Sequence, residues 1–318
     1  MSELFPIRPI PIAFLLLLLF ASWPAKASGL AFVVNSAGAS ISIVDLSRER
    51  EIRRIPALRE PHHLTLTPDG RELVVGDTAG NELLFLDPAT GDLRHHLPVA
   101  DPYNLGFSPN GKWLTVNGLA RNQVDIYDAA TMKLVKRFPL ASMPSHLAYA
   151  PDSSMVYVTL QGTNRLAAID LTRMALVWDT EVGKTPAGVM WHDGTLLVAN
   201  MGSNNVSVVD PVDGRVQRRL PAGRGAHQLF LSPDGQTIYV NARVDGTTTA
   251  LDARTLEVKR VYAIPGGPDC IDFAPDGRLW ITQRWAGSVA VLDPASGKYD
   301  TVEVGRSPHG VFLNARAE

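Results

Sequence analysis

An aspartate recurs at nearly constant spacing along most of this chain of 318 residues. Each copy follows a short apolar run, and successive copies lie 42, 41, 42, 40, 42 and 41 residues apart. A period of this length is typical of proteins that repeat one supersecondary unit many times. The seven copies are Asp45, Asp87, Asp128, Asp170, Asp210, Asp252 and Asp293.

Each repeat predicts four short strands. An apolar first strand ends in a Pro-Asp-Gly turn, a second strand leads into a polar loop that often contains Asn, and a third strand ends at the recurring Asp before the fourth begins. Proline presets the first torsion of such a turn, Asp bonds its own backbone, and Gly adopts the conformation that other residues avoid. Residues 68–70 are the first copy of this turn, and the same pattern returns at 109–111, 151–153, 233–235 and 275–277.

Seven four-stranded units predict an all-β fold, a seven-bladed β-propeller over residues 28–318. The chain begins with the second, third and fourth strands of a unit, at 31–35, 41–45 and 52–55, and it ends with a lone first strand at 309–314. An open array would leave exposed strand edges, which closure into a ring protects. We therefore expect the C-terminal strand to join the N-terminal blade.

Residues 1–27 have the pattern of a secretory signal peptide. Arg8 precedes an apolar run at 12–20, and Ala25-Lys26-Ala27 has the A-x-A form of a cleavage site. The run is too short to span a bilayer, which needs roughly 20 residues. We predict a periplasmic or secreted protein with no membrane span after cleavage. An uncleaved anchor or a buried helix is the alternative.

Composition excludes several classes of protein. With 45% hydrophobic residues and a formal charge of −2, the chain is neither disordered nor suited to neutralising the phosphates of a nucleic acid. The single cysteine, Cys270, excludes an intrachain disulfide and any C-x-x-C site. The chain contains no G-x-S-x-G, H-E-x-x-H, Walker or C-x-x-C-H motif. These absences weigh against an enzyme but do not exclude one, because propeller enzymes collect residues from several blades.

Several segments resemble the YVTN-type repeat of bacterial, YncE-like β-propellers. They are MVYVT at 155–159, TIYVN at 237–241, NVSVVD at 205–210 and PHGV at 308–311, and the resemblance covers residues 30–314. It implies a seven-bladed propeller. Relatives by fold include secreted and surface-layer proteins, proteins attached to quinone- or haem-dependent periplasmic oxidation, the d1-haem domain of nitrite reductases, and sugar lactonases. A fold alone does not select among these functions.

Propellers usually bind ligands at one mouth of the central channel, where the fourth strand of one blade leads into the first strand of the next. A proline, or an alanine in one repeat, marks this loop, and we expect the residue after it to reach the mouth. In ring order these residues are His62, Tyr103, Ser145, Ala187, His227, Asp269 and His309.

Four of these residues come from adjacent blades and form a predicted metal site. Imidazole and carboxylate suit zinc, copper or iron, and imidazole can also be an axial ligand of haem. The alternative is that these polar side chains only solvate the channel. The predicted ligands are His62, His227, Asp269 and His309, and the next position of the repeat adds His63, His146 and Cys270 to the same rim.

The loops between second and third strands are expected on the same face, where they add cations. Guanidinium groups there favour a carboxylate, a phosphate or haem propionates. Trp285 lies in one of these loops and could stack on a ligand or a partner, or it could cover a blade interface. Together with His62, His63 and His146, the predicted cofactor-binding residues are Arg121, Arg165, Arg243, Arg284 and Trp285. The alternative for the arginines is a set of exposed loop charges.

These features favour an exported, non-catalytic, monomeric propeller that binds a partner protein or a small cofactor at a histidine-rich mouth. Such a protein would be accessory to a periplasmic redox system, and its ligand would be a transition metal, haem or a small anion. The alternative is a propeller enzyme, either a d1-haem-type oxidoreductase or a metal-assisted lactonase. A purely structural envelope protein is a third hypothesis.

Overall fold

A computed structural model describes residues 27–56 and 59–316 of the protein. These residues form seven four-stranded antiparallel sheets, the blades of a β-propeller, and no helix occurs among them. The predicted all-β, seven-bladed fold is therefore confirmed. Within the described ranges, no helix is long and apolar enough to cross a membrane.

The strands are numbered along the chain, and blade 1 is the one that contains β1. Blades 1 to 4 contain β1 (Ser28–Asn35), β2 (Ser40–Asp45), β3 (Arg50–Pro56), β4 (Pro61–Leu66), β5 (Leu73–Asp77), β6 (Glu82–Leu86), β7 (Leu93–Pro98), β8 (Asn104–Phe107), β9 (Trp113–Gly118), β10 (Gln123–Asp128), β11 (Lys133–Pro139), β12 (Pro144–Tyr149), β13 (Met155–Leu160), β14 (Arg165–Asp170) and β15 (Ala175–Glu181). The remaining strands are β16 (Pro186–His192), β17 (Thr195–Asn200), β18 (Asn205–Val209), β19 (Val216–Pro221), β20 (Ala226–Leu231), β21 (Thr237–Ala242), β22 (Thr247–Asp252), β23 (Val258–Ala263), β24 (Pro268–Phe273), β25 (Leu279–Gln283), β26 (Ser288–Leu292), β27 (Tyr299–Glu303) and β28 (Pro308–Arg316).

The two ends of the chain share blade 1. Its strand order is β28-β1-β2-β3, so the C-terminal strand is the innermost strand of the N-terminal blade. Phe312 of β28 pairs with Phe32 of β1, and Leu313 pairs with Ala31. The predicted closure is confirmed, and the closing strand is three residues longer than the segment 309–314, one at its start and two at its end.

The core lies between the blades. Seven clusters of buried apolar side chains each join two neighbouring blades, and together they run around the ring. Between blades 1 and 2, for example, Phe32 and Ile43 pack with Leu73 and Leu86. The second and third strands are buried on both faces, whereas most fourth-strand residues are exposed. Burial of apolar area against both neighbours therefore holds each blade in place.

The recurring aspartates stabilise turns. Each accepts a hydrogen bond from the backbone N–H of a residue two or three positions later, as Ala89 donates to Asp87 at 2.8 Å. The other six bonds are equivalent. The Pro-Asp-Gly turns form as predicted, with Gly70 at φ +70°. These residues have a structural role on the face opposite the mouth.

An asparagine in the loop between the second and third strands ties neighbouring loops together at the mouth. In four blades it adopts a left-handed conformation, and its side-chain oxygen accepts a backbone N–H from the loop that leads into the next blade. Asp101, for example, donates to Asn81 at 3.1 Å. The other three pairs are Met143 with Asn122, Thr185 with Asn164, and Gly225 with Asn204.

The predicted signal peptide lies almost wholly outside the described residues, which begin at Ala27. Ala27 is 5% exposed and belongs to the apolar cluster between blades 7 and 1. Its backbone N–H donates to Asp276 at 3.3 Å.

Candidate functional site

In six of the seven blades, a β-bulge brings two consecutive side chains of the innermost strand to the mouth of the channel. In blade 2, Pro61 pairs with Asp77 and Leu64 with Val75, so His62 and His63 together oppose one residue of β5. Side chains of an unbroken strand alternate between faces, and a bulge cancels this alternation. The same irregularity occurs in five further blades. Both rows of predicted mouth residues can therefore meet.

Polar residues of the second strands fix the backbone at the mouth. Asn241 of β21 donates to the carbonyl of Asp269 at 2.9 Å, and Thr282 of β25 donates to the carbonyl of His309 at 2.8 Å. Equivalent bonds join Asn117 to Ser145 and Thr159 to Ala187. The sequence analysis missed these positioning residues, although a polar residue at the same place in several apolar strands was a visible signal.

Five histidines form a contiguous group, here called the imidazole cluster: His62, His63, His146, His227 and His309. The ring centroids of His62 and His309 are 3.9 Å apart, and those of His63 and His309 are 4.5 Å apart. His146 lies 5.0 Å from His63 and 5.2 Å from His227. All five side chains are between 0% and 6% exposed, so they are buried instead of solvating an open channel.

Burial keeps the imidazole cluster uncharged. Desolvation lowers the pKa of His63 and of His227 to about 4, and the surrounding cationic groups add to the effect. The pKa values of His62, His146 and His309 are also well below the usual 6.5 for the same leading cause. The rings are therefore neutral at pH 7, the protonation state that a metal ligand requires.

Among the described residues, Asp269 is the only carboxylate in contact with the imidazole cluster, and it is fully buried. Arg243 donates to Oδ1 through Nε at 3.0 Å and again through Nη2, and Arg284 donates to Oδ2 at 3.2 Å. Burial acts to raise the pKa of Asp269, but the charges of Arg243 and Arg284 outweigh it, and the pKa stays well below its usual range. Asp269 is therefore an anion held by two cations.

Several imidazole nitrogens have no partner. Nδ1 of His63 donates to the carbonyl of Tyr103 at 2.7 Å, so its Nε2 carries a lone pair, and no hydrogen bond reaches that atom. Nε2 of His146 and both nitrogens of His227 also lack a hydrogen bond among the described residues. Nδ1 of His227 is 2.8 Å from Asp269 Oδ1, but without hydrogen-bond geometry. Unsatisfied buried polar atoms cost roughly 1–3 kcal/mol each, and a bound ion would satisfy such nitrogens.

Two overlapping sets of side chains place their donor atoms within 4.8 Å of one another. One consists of His62, His63 and His309, and the other of His227, Asp269 and His309. All four predicted metal ligands thus meet at the mouth, and the bulge adds His63. Their role as ligands stays a prediction.

The remaining mouth residues surround the imidazole cluster. The Tyr103 ring lies 4.1 Å from that of His62, Ser145 Oγ is 2.8 Å from His146 Nδ1, and Ala187 is buried. Cys270 donates its thiol hydrogen to Gln228 Oε1 at 3.2 Å, and its sulfur is 3.9 Å from His309 Nδ1. Burial raises the pKa of the Cys270 thiol, which is therefore protonated.

Two of the four predicted loop arginines, Arg243 and Arg284, contact Asp269 beside the imidazole cluster. The other two pair elsewhere, and a binding role for any of the four stays a prediction. Arg165 is the first residue of a strand, so it crosses to the outer strand and pairs with Asp179. Arg121 is exposed and donates to Asn81 at 3.3 Å.

Trp285 is 62% exposed at the mouth, beside Arg284. A Cβ on Gly267 would lie 2.7 Å from the Trp285 ring, so the ring lies directly over this glycine. This position agrees with a predicted stacking role but does not test it.

The other three histidines are outside the mouth. His95 and His96 are exposed on the outer strand β7, near Glu72 and Glu82. His192 is half-buried, and its Nε2 contacts the carbonyl of Ala253 in a neighbouring blade.

The fold and the mouth define a seven-bladed propeller with a buried, histidine-rich end to its channel. The YNCE-like beta-propeller family matches residues 8–318, and this chain belongs to that family. Comparison with curated proteins gave no match.

Three solved structures share the fold at low sequence identity. A functionally unknown protein from Desulfotomaculum acetoxidans has a TM-score of 0.78 and 14% identity, over 90% of this chain and 99% of that one. The dihydro-heme d1 dehydrogenase NirN, in complex with DHE, has a TM-score of 0.68 and 18% identity, over 96% of this chain and 79% of that one. Hydrazine synthase of Kuenenia stuttgartiensis has a TM-score of 0.66 and 22% identity, over 80% of this chain and 92% of that one.

Proposed function

We propose that this protein is a non-catalytic binding propeller whose imidazole cluster holds one transition-metal ion through His62, His63 and His309. The observation that carries the proposal is the convergence of three buried, neutral imidazoles with donor atoms within 4.8 Å of one another. Zinc binds nitrogen at about 2.0–2.1 Å, so the rings would have to draw together slightly around an ion.

The set that contains Asp269 is the weaker candidate. Both carboxylate oxygens already accept hydrogen bonds from Arg243 and Arg284. A divalent ion bound there would face two guanidinium groups, and only one anion would offset them. Asp269 is better suited to positioning, since it contacts His227 at 2.8 Å and His309 at 3.6 Å.

The donor chemistry limits the choice of metal. Imidazole suits zinc and copper, whereas magnesium and calcium prefer oxygen ligands. His63 already has the arrangement typical of a metal-binding histidine, because one ring nitrogen donates to a backbone carbonyl and the other is free. His146 and His227 border the site and supply further unpartnered nitrogens.

Export and a redox context belong to the same proposal. The pattern of residues 1–27 supports periplasmic or secreted localisation, and two fold neighbours carry the names of a dehydrogenase and a hydrazine synthase. A protein partner or a small anion would meet Arg284 and the exposed Trp285 at the mouth. Haem ligation has no specific observation in its favour, because the imidazole rings pack against one another.

Metal titration of the chelator-treated protein tests the proposal. We expect one equivalent of Zn²⁺ or Cu⁺ by calorimetry and elemental analysis, and no tight binding by the double variant His62→Ala/His309→Ala. The matched control is His95→Ala/His96→Ala, which removes two histidines from an exposed strand. Equal binding by both double variants would refute the site.

A spectroscopic measurement identifies the ligands. In the Cu²⁺-loaded protein, electron paramagnetic resonance should show coupling to imidazole nitrogens, and His63→Ala should remove one of them. A spectrum of oxygen ligands alone would refute coordination by the imidazole cluster.

A further inference from the structure

The channel contains a cavity of about 510 Å³ on the far side of the imidazole cluster. It is lined by the innermost strands of five consecutive blades, from β4 of blade 2 to β20 of blade 6. Pro109 also lines it, and this residue belongs to an exposed turn at the end of the channel opposite the mouth. The cavity therefore opens on the opposite face, and the imidazole cluster closes its inner end.

Two unpartnered amides lie at the inner end. Asn104, the first residue of β8, is 8% exposed, yet its side chain has no hydrogen-bond partner among the described residues. Gln228 of β20 accepts the Cys270 thiol through Oε1, and its Nε2 has no partner within the same ranges. Both residues line the cavity. Among the described residues, neither amide belongs to the fully buried atoms that lack a partner, so both present hydrogen-bonding groups to the open cavity, where a ligand or water can satisfy them.

The outer part of the cavity is aromatic. Phe107 and Tyr149 are the last residues of β8 and β12, and Trp191 is the penultimate residue of β16. The Tyr149 hydroxyl already donates to the carbonyl of Gly106 at 2.9 Å. Three residue steps of a strand separate Asn104 from Phe107, or about 10 Å. A planar molecule of one or two rings fits this length.

The lining excludes a charged occupant. None of the lining residues is Asp, Glu, Lys or Arg, so the lining supplies no permanent charge. An ion in the cavity would lose its hydration without gaining a counter-charge, which is strongly unfavourable. A neutral ligand loses much less hydration free energy when it enters the cavity.

We propose that this cavity is a binding site for a small, neutral aromatic molecule with an amide-like group, whose adjacent donor and acceptor bond to Asn104 and Gln228. The molecule enters from the face opposite the mouth, and its ring contacts the parts of Phe107, Tyr149 and Trp191 that line the cavity, while the rest of each ring packs between blades. This site adjoins the proposed metal site through His63, and metal-free protein suffices to test it.

Three probes of one shape and different polarity test the inference. Benzamide, benzoate and toluene are titrated into the full chain in the presence of a chelator, and binding is followed by NMR of protein and ligand. We expect benzamide to bind, benzoate to show no saturable binding, and toluene to bind at least five-fold more weakly than benzamide. Benzoate binding as well as benzamide, or no binding of benzamide, would overturn the proposal.

Variants locate the bound probe. Asn104→Leu and Gln228→Met keep the side-chain size and remove the amides, so each should weaken benzamide binding about five- to ten-fold, as expected for one lost hydrogen bond. Gln217→Met, on the exposed strand β19, is the matched control and should bind benzamide as the wild type does. Circular dichroism confirms that each variant folds. If folded Asn104→Leu and Gln228→Met both bind benzamide normally, the cavity is not the site.

Discussion

Lowering the pH should destabilise the fold through the imidazole cluster. The pKa of His63 and of His227 is about 4 in the folded protein, against an ordinary value of 6.5. Between these values the unfolded chain binds protons that the folded chain does not, so stability is lost as the pH falls from 6.5 towards 4. From pH 7 to pH 5, each histidine costs about 2 kcal/mol and the pair about 4 kcal/mol.

One carboxyl group opposes this effect. Asp272 accepts the N–H groups of Leu313 and Phe273, and burial raises its pKa to about 6. The folded state then takes up a proton before the unfolded state does, so Asp272 contributes about 1 kcal/mol of stability as the pH falls from 7 to 5. The net loss expected from these three groups is about 2–3 kcal/mol. His62, His146 and His309 add to it because their pKa values are also lowered.

Denaturant unfolding at pH 7, 6 and 5 measures the effect, with chelator present and tryptophan fluorescence as the signal. Asp272→Asn removes the opposing group. The stability that this variant loses between pH 7 and pH 5 should therefore exceed the wild-type loss by about 1 kcal/mol. His63→Asn/His227→Asn should flatten the pH dependence by about 4 kcal/mol. An Asp272→Asn protein as stable at pH 5 as at pH 7 would refute the assignment of neutral, buried imidazoles.

Three further predictions follow from ring closure, the buried ion pair and export. Deletion of residues 308–318 removes β28 and exposes the edge of β1, so it should abolish most of a stability that is about 5–15 kcal/mol for a domain; a truncated protein with unchanged thermal unfolding would contradict the closure. Asp269→Asn leaves Arg243 and Arg284 without a counter-charge and should cost about 3–5 kcal/mol in denaturant unfolding, whereas Asp179→Asn, which breaks the half-exposed pair with Arg165, should cost less than about 1 kcal/mol. Equal losses would show that Asp269 is not held as a buried anion. If residues 1–27 are a signal peptide, the intact mass of the exported protein should correspond to a chain that begins at Ser28, and retention of Met1 would refute this.

The architecture was predictable because one repeat specifies it seven times. The spacing from Asp45 to Asp293 determined the number of blades, and the lone strand after Pro308 determined how the ring closes. Errors in any one repeat do not affect this inference. Strand ends were less well defined, as in β28, because backbone pairing continues beyond the apolar pattern.

The site was only partly predictable. Equivalence between repeats correctly placed His62, His227, Asp269 and His309 at one mouth, but it could not describe their surroundings. The bulge that adds His63 depends on hydrogen-bond register, which alternation of residue types does not reveal. Burial of the imidazoles depends on how seven innermost strands meet.

The arginines illustrate a second limit. Arg165 is the first residue of the third strand β14 and pairs with an outer strand, whereas Arg243 directly follows the second strand β21 and pairs with Asp269 at the channel. The ion-pair partner of each arginine depends on where the nearest carboxylate lies in space. Asp179 is across the sheet from Arg165, and Asp269 is in the next blade from Arg243. A repeat pattern contains no information about such partners.

The shared blade sets an order of events during the life of the chain. His309 is supplied by β28, the last described strand along the chain, and that strand must pair with β1 before His309 can meet His62. A chain in which β28 has not yet been synthesised therefore has no complete imidazole cluster, however well its other blades have folded. An ion that needs His62 and His309 together can bind only after β28 has joined β1.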